Sequence, residues 1–283
     1  MRSLAQYVMK GRTQAILAVV ISIGTLFFAW AGAAIVALVT LRKGSKEGSK
    51  LLAWGMFPAI FMAGIGDTSP VTTLLGVYFS AIALRTAGQW SWALVAAVTS
   101  GLLTSWVLYT FGIGYIEQII QILEQALKPL AERSAADGAV VLAAPNAAQI
   151  AGLLGLSNAF TVIMCLLLAR WWQAVLYNPG GFRTEFHRFR LSPVLTIVLL
   201  ALGIAVSSLG QDYRFWAVIF ALPFCFAGVA LVHGLAAKKR LGSNWLLLFY
   251  IAWLFFDPLK AVLLIAVVVD SWLDLRSRVS SSD

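Results

Sequence analysis

The few ionisable residues that interrupt apolar stretches are the first candidates for chemistry in this chain. Asp67 follows a Gly-Ile-Gly run, and Asp212 lies in a short polar turn. Asp257 and Lys260 are three residues apart, on one side of a helical turn, so they can form an ion pair that lowers the cost of charge in apolar surroundings. These four residues are candidate ligand contacts, and an ordinary charged turn is the alternative interpretation of the last two.

A second group of charges closes the last apolar segment, where Asp270 and Asp274 precede Arg276. Asp270 directly follows the apolar run 265–269, so we expect it to be buried between helices. Its expected partner is Arg276 or the basic segment 170–190, because a charge in apolar surroundings is costly unless it is paired. Both a structural ion pair and a functional proton or partner site are consistent with this pattern.

The run from Gly64 to Asp67 resembles the Gly-x-Gly-Asp motif of intramembrane aspartyl proteases and prepilin peptidases. That chemistry needs two facing carboxylates, of which one holds a proton while the other is ionised. No aspartate precedes Asp67, and the Tyr-Asp and Pro-Ala-Leu partner motifs of those enzymes are missing. The run therefore predicts a polar turn with flexible glycines.

Other catalytic and metal-binding patterns are also missing from the sequence. His187 and His233 are the only histidines, Cys165 and Cys225 are the only cysteines, and none of them has the spacing of a metal site. The sequence contains no phosphate-binding glycine-rich loop and no nucleophile elbow. We therefore expect no enzyme, no cofactor and no metal.

The composition predicts a membrane protein. The chain has 283 residues, of which 60% are hydrophobic and only 12% are charged, whereas a soluble chain carries about 25% charged residues. Apolar runs long enough to cross a hydrocarbon core of roughly 30 Å recur throughout. We expect one all-α integral membrane domain over residues 1–283, and no nucleic-acid partner, because the basic residues lack interleaved aromatic residues.

Basic residues between the apolar runs predict the orientation in the membrane. The segment 170–190 contains one acid, Glu185, and four arginines: Arg170, Arg183, Arg188 and Arg190. Short loops rich in Lys and Arg stay in the cytoplasm, so we expect a cytoplasmic basic loop at about 177–190. The same rule applied throughout predicts a polytopic bundle with eight to ten crossings and both termini in the cytoplasm.

Two apolar regions leave the number of crossings open. Gln14–Leu41 is interpreted as a hairpin that breaks near 29–32, with one long tilted span as the alternative. Trp245–Leu273 contains a proline and charges near its middle, so we expect a hairpin that turns at 257–260.

A third segment has a different periodicity. Apolar residues recur every three or four positions from Ile116 to Leu130, which predicts an amphipathic helix along the outer surface. Together with the loop that follows it, this helix forms an external feature over about 116–146.

Two stretches near the end resemble a known family. Residues 242–250 and the stretch from Asp270 to Arg276 are similar to the YybS-like family, an uncharacterised group of bacterial multi-pass membrane proteins. That family is thought to be distantly similar in fold to the substrate-capture subunits of energy-coupling-factor transporters and to MreD-type envelope proteins. The resemblance implies a location in the bacterial cytoplasmic (inner) membrane and implies no catalytic residues.

Two functions of different kinds follow as expectations. The first is the substrate-binding component of a small-molecule transport system, in which the outer turns close over a pocket and an energising module is the partner. The alternative is a scaffold that recruits envelope or cytoplasmic proteins through Arg183, Arg188 and Arg190. For both functions we expect the protein to be embedded in the lipid bilayer.

Overall fold

A computed structural model describes residues 2–25, 27–136 and 144–279 of the chain. All regular elements in these residues are helices, and no β-strand occurs among them, so the predicted all-α fold class is confirmed. The helices are α1 (Arg2–Lys10), α2 (Arg12–Ile23), α3 (Ala29–Lys43), α4 (Ser45–Gly64), α5 (Ser69–Ala87), α6 (Trp90–Phe111), α7 (Ile113–Ala136), α8 (Ala147–Tyr177), α9 (Gly181–Arg188), α10 (Pro193–Ser207), a 3-10 turn (Gln211–Tyr213), α11 (Arg214–Ile219), α12 (Leu222–Lys238), α13 (Ser243–Phe255), α14 (Asp257–Leu273) and α15 (Leu275–Arg278).

Helices α5, α6 and α8 are long and apolar enough to cross a membrane. The longest, α8, has 31 residues and begins with a capping box at Asn146 and Gln149. The Asn146 side chain accepts the Gln149 backbone N–H at 2.9 Å, and the Gln149 side chain accepts the Asn146 N–H at 3.1 Å. This reciprocal pair satisfies two backbone donors that a helix start leaves without partners.

Helix α3 forms the centre of the bundle. All its residues from Ala31 to Leu41 are buried, and α2, α4, α5 and α8 pack around it. Small residues allow the close contacts, because a Cβ atom at Gly32 would lie 2.6 Å from the Ile23 side chain. The expected division of 14–41 into two helices is confirmed, although α2 ends at Ile23 and α3 begins at Ala29, so the break precedes the expected 29–32.

The number of candidate spans is smaller than the sequence predicts. At 1.5 Å per residue, α2 and α3 are only about 18 and 22 Å long, less than the roughly 30 Å of a hydrocarbon core. Three helices qualify as spans by length and composition, or up to six if each of three bent helix pairs is one span. The predicted range counted each of the two uncertain regions as one crossing at its lower figure of eight, and both helices of each hairpin as separate crossings at its upper figure of ten. Both figures exceed the six candidate spans.

Three segments contain a sharp bend between consecutive helices. The basic loop at 177–190 contains α9, which is bent by 68° against α10. The segment from Trp216 to Leu235 is interrupted between α11 and α12, which meet at 47°. In the last region the break lies at Phe256, where α13 and α14 meet at 111°. Asp257 and Lys260 therefore lie in the first turn of α14 and not in a loop.

The predicted amphipathic helix is α7. Its apolar residues Ile116, Ile119, Ile120 and Leu123 pack in a separate small cluster with α6 and α8 residues. Because α7 runs to Ala136, the helix extends beyond Leu130 into the expected loop. The apolar part of the expected loop lies largely outside the described residues, which omit 137–143.

Candidate ligand-binding site

A cavity of about 230 Å³ lies at one end of the bundle, where α3 and α5 begin and α6 ends. The first half of α8 and the start of α7 complete its wall. All three long apolar helices therefore contribute to it. Its polar lining residues are Thr68, Ser69, Thr72, Thr73, Thr104, Tyr115, Ser157, Asn158 and Thr161.

Asn158 on α8 is at the centre of a hydrogen-bonded network in the cavity wall. Its Nδ2 donates to Ser100 Oγ and to Thr104 Oγ1 on α6, each at 3.0 Å. Its Oδ1 accepts from Thr73 Oγ1 on α5 at 3.2 Å. Asn158 is 6% exposed. Its carboxamide joins the three helices, so its orientation is fixed by partners on α5 and α6.

Four other polar side chains in the lining make no hydrogen bond to another described residue. They are the hydroxyl groups of Thr68, Ser157, Thr161 and Tyr115. Burial, with a further contribution from the Asp67 carboxylate, raises the pKa of Tyr115. Its phenol is therefore protonated at neutral pH and able to donate. Each of the four hydroxyl groups can also accept a hydrogen bond.

Asp67 shapes the cavity without lining it. Its carboxylate accepts the Ser69 backbone N–H at 3.0 Å and the Ser69 hydroxyl at 2.6 Å. Pro70 follows at the first turn of α5, where a missing N–H costs nothing. Ser69 is the first residue of α5, and the carboxylate of Asp67 accepts its backbone N–H.

The other predicted ligand contacts are also absent from the described cavity lining. Asp212 Oδ1 accepts from Asn146 Nδ2 at 2.6 Å, which fastens the 3-10 turn to the start of α8. Asp257 and Lys260 form the expected ion pair at 2.6 Å at the start of α14. The Asp257 side chain is 87% exposed, so this pair is a surface pair, which contributes little stability.

The opposite end of the bundle carries a network of charges between α6, α8 and α9. Arg170 donates to Glu185 Oε2 from Nη2 at 2.5 Å and from Nε at 3.0 Å. Trp90 Nε1 donates to the other oxygen of Glu185 at 2.6 Å. The one acid of the basic segment therefore ties α9 to two long helices.

Asp270 forms a buried pair with Arg276, one of its two expected partners. The Arg276 Nη1 atom lies 3.2 Å from Asp270 Oδ2, with side-chain exposures of 13% and 4%. Asp270 Oδ1 accepts the Leu275 N–H at 2.8 Å. Burial lowers the pKa of Arg276, and the carboxylates of Asp270 and Asp274 oppose this effect.

The basic segment 170–190 also reaches this cluster. Arg190 lies 3.8 Å from Asp274 and donates to the Asp270 carbonyl oxygen at 3.5 Å. Arg183 and Arg188 are exposed on α9. Two arginines of the segment, Arg170 and Arg190, therefore have acidic partners, and the other two are exposed on α9.

The sequence predictions did not identify Thr73, Thr104, Asn158 and Thr161 as site residues. A usable signal was present, because hydroxyl residues recur four positions apart on one face of apolar helices. The pairs are Ser100 with Thr104 on α6 and Ser157 with Thr161 on α8.

Fold and site define an all-α protein with helices able to cross a membrane and a polar cavity at one end of its bundle. No family model, no curated protein and no solved structure matches the chain. Among the described residues, no group of three His, Cys, Asp or Glu residues is arranged to hold a metal ion.

Proposed function

We propose that this chain is a multi-pass protein of the bacterial cytoplasmic membrane that binds a small molecule in the cavity. It acts as the substrate-binding component of a transport system. The observation that carries the proposal is a set of hydroxyl groups to which no described residue bonds, at Thr68, Ser157, Thr161 and Tyr115. Hydroxyl groups on the surface of a cavity that no described residue bonds can donate to and accept from a ligand.

The positive-inside rule supports a cavity that is accessible from outside the cell. The chain enters α4 and α10 from the basic segments at Arg42–Lys43 and at Arg188–Arg190, while the cavity lies at the other end of the bundle. If those basic segments are cytoplasmic, the cavity faces the exterior and both termini lie in the cytoplasm. This orientation suits capture of a substrate before transport.

Binding fits the cavity better than catalysis. General acid–base chemistry needs a group whose pKa lies near the working pH. Tyr115 is the only titratable side chain in the described lining, and its pKa is raised by burial. The sequence also lacks a nucleotide-binding fingerprint, so energy for transport would come from a separate module.

Native mass spectrometry of the protein, purified in mild detergent, tests the proposal. The wild-type chain is expected to retain a small molecule at a fixed ratio. The variant Ser157→Trp fills the cavity and should release it. Leu153→Trp is the matched control, because Leu153 is exposed on the same helix and does not line the cavity. Retention by both variants, or no retained molecule in the wild type, would refute the proposal.

The scaffold is the second candidate, and the exposed positions of Arg183 and Arg188 on α9 favour it. Its test is the double variant Arg183→Ala/Arg188→Ala, which leaves Arg190 and its contact to Asp274 intact. A scaffold would lose co-purifying envelope or cytoplasmic proteins in this variant and would be insensitive to Ser157→Trp. A substrate-binding component would show the reverse pattern.

A further inference from the structure

The lining of the cavity restricts the chemical class of its ligand. Building on the proposed binding function, we infer that the ligand is a small neutral molecule rich in hydroxyl groups, of the polyol or monosaccharide class. Three properties of the cavity lead to this class: its lack of charge, its hydrogen-bonding chemistry and its size.

The ligand is neutral because the cavity offers no counter-charge. No Asp, Glu, Lys, Arg or His occurs among the described residues that line it. The nearby carboxylate of Asp67 is already bonded to the backbone and side chain of Ser69. An ion without a partner in such surroundings would pay a large desolvation cost.

The ligand carries hydroxyl groups because the cavity offers hydroxyl groups that have no partner among the described residues. Thr68, Ser157, Thr161 and Tyr115 can each donate and accept, which is the same capacity that an alcohol group has. A ligand with acceptors alone, such as a ketone, would leave half of this capacity unused. The network around Asn158 is already internally bonded and supplies a rigid wall.

An apolar side of the same cavity suits the carbon skeleton of such a ligand. Trp30, Pro70, Leu108 and Leu154 lie in the lining. The indole N–H of Trp30 donates to the Phe27 carbonyl oxygen at 2.9 Å, so the ring presents carbon surface to the cavity and not a donor. A cyclic polyol has this division between C–H faces and hydroxyl edges.

The volume favours a small member of the class. The cavity of about 230 Å³ is below the roughly 300–1,000 Å³ of sites that hold drug-sized ligands. A single sugar ring or a cyclitol is therefore a better match than a disaccharide.

Calorimetric titration and thermal unfolding of the detergent-purified full chain test the inference with defined probes. The neutral probes are myo-inositol and D-ribose, and the charged comparisons are D-gluconate and D-glucosamine. At least one neutral probe is expected to bind and to raise the unfolding midpoint, while neither charged probe does so. Thr161→Val, which removes one hydroxyl group without a change of shape, should weaken binding about three- to tenfold. Thr99→Val should leave binding unchanged, because that exposed hydroxyl bonds to Val95 of its own helix.

Equal binding of D-gluconate or D-glucosamine, or no binding of either neutral probe, would overturn the inference. Mass spectrometry of the retained molecule separates this failure from failure of the proposed function. A retained molecule that is charged or lacks hydroxyl groups would refute the ligand class and preserve small-molecule binding. Absence of both a retained molecule and probe binding would refute the two together.

Discussion

Asn158 places a carboxamide where three apolar helices meet, and it is the residue on which the cavity wall depends most. Its hydrogen bonds reach Thr73 on one neighbour and Ser100 and Thr104 on the other. Hydrogen bonds between helices in a membrane contribute on average about 0.6 kcal/mol each. We therefore expect Asn158→Leu to lower the free energy of unfolding by about 2 kcal/mol, measured by denaturation in detergent micelles.

The control for this prediction is another polar residue of the long helices. Thr99→Val removes a hydroxyl group that bonds only within α6, to the Val95 carbonyl oxygen. Its unfolding free energy should match the wild type to within about 0.5 kcal/mol. An Asn158→Leu protein as stable as the Thr99→Val protein would show that the network does not stabilise the bundle.

At the residue scale, sequence reasoning found the charge pairs but did not identify neutral polar side chains as site residues. The pairing of Asp270 with Arg276 was predictable, because two charges close in sequence at the end of an apolar run must satisfy each other. The same holds for Asp257 and Lys260. Asn158 depends on partners that are 54 to 85 residues away, and no local pattern identifies such partners.

At the scale of helices, the contact between α6 and α8 depends on glycine. A Cβ atom at Gly155 would collide with the Ser105 hydroxyl oxygen and with the Gly101 carbonyl oxygen. Because a backbone atom cannot move aside, Gly155→Ala must separate the helices, and we expect a loss of about 1 to 3 kcal/mol in unfolding free energy. Gly114→Ala is the matched control, since nothing lies within 4 Å of its position. Equal stability of the two variants would contradict the close contact.

The buried pair between Asp270 and Arg276 joins α14 to α15. Asp270→Asn keeps an acceptor for the Leu275 N–H but leaves a buried guanidinium without its counter-ion. Loss of one partner of a buried pair costs about 3 to 5 kcal/mol, so a drop in unfolding free energy of this size is expected. The double variant Asp270→Asn/Arg276→Met should recover most of it, because the unpaired charge is then absent.

The exposed ion pair of Asp257 and Lys260 is the comparison for the variants of Asp270 and Arg276. Asp257→Asn breaks an ion pair whose acid is 87% exposed, and pairs of this kind are worth about 0 to 1 kcal/mol. If Asp270→Asn lowered the unfolding free energy no more than Asp257→Asn, the buried pair of Asp270 and Arg276 would be as well solvated as the exposed pair of Asp257 and Lys260.

The positions of the helices followed from the sequence, but their bends did not. Apolar runs and polar interruptions are local, so the helices and the two-helix division of 14–41 and 245–273 were predictable. The 111° bend at Phe256 follows an apolar run and depends on how α13 and α14 pack. The complete burial of α3 likewise depends on four surrounding helices that no sequence window contains.

For the whole molecule, the two ends of the bundle differ in chemistry. The cavity end offers uncharged hydroxyl groups, whereas the other end holds the ion pair of Arg170 with Glu185 and the arginines of α9. The positive-inside rule predicts that the end of a bundle with more Lys and Arg lies in the cytoplasm. The proposed orientation, with the cavity outside and the termini inside, therefore depends on the same charges that organise the basic end.

Single-cysteine labelling tests this orientation on the whole protein. Cys165 and Cys225 are first replaced by alanine, and a cysteine is then placed at Ser45 or at Ser208, both of which are exposed. Ser45 follows the basic end of α3, whereas Ser208 precedes the 3-10 turn that Asp212 fastens to the start of α8.

A membrane-impermeant maleimide should label Ser208→Cys in intact cells and Ser45→Cys only after permeabilisation, because only the cavity end then faces the exterior. The opposite pattern would place the cavity in the cytoplasm and exclude capture of an external substrate. Equal labelling of both positions in intact cells would contradict a bundle that spans the membrane between them.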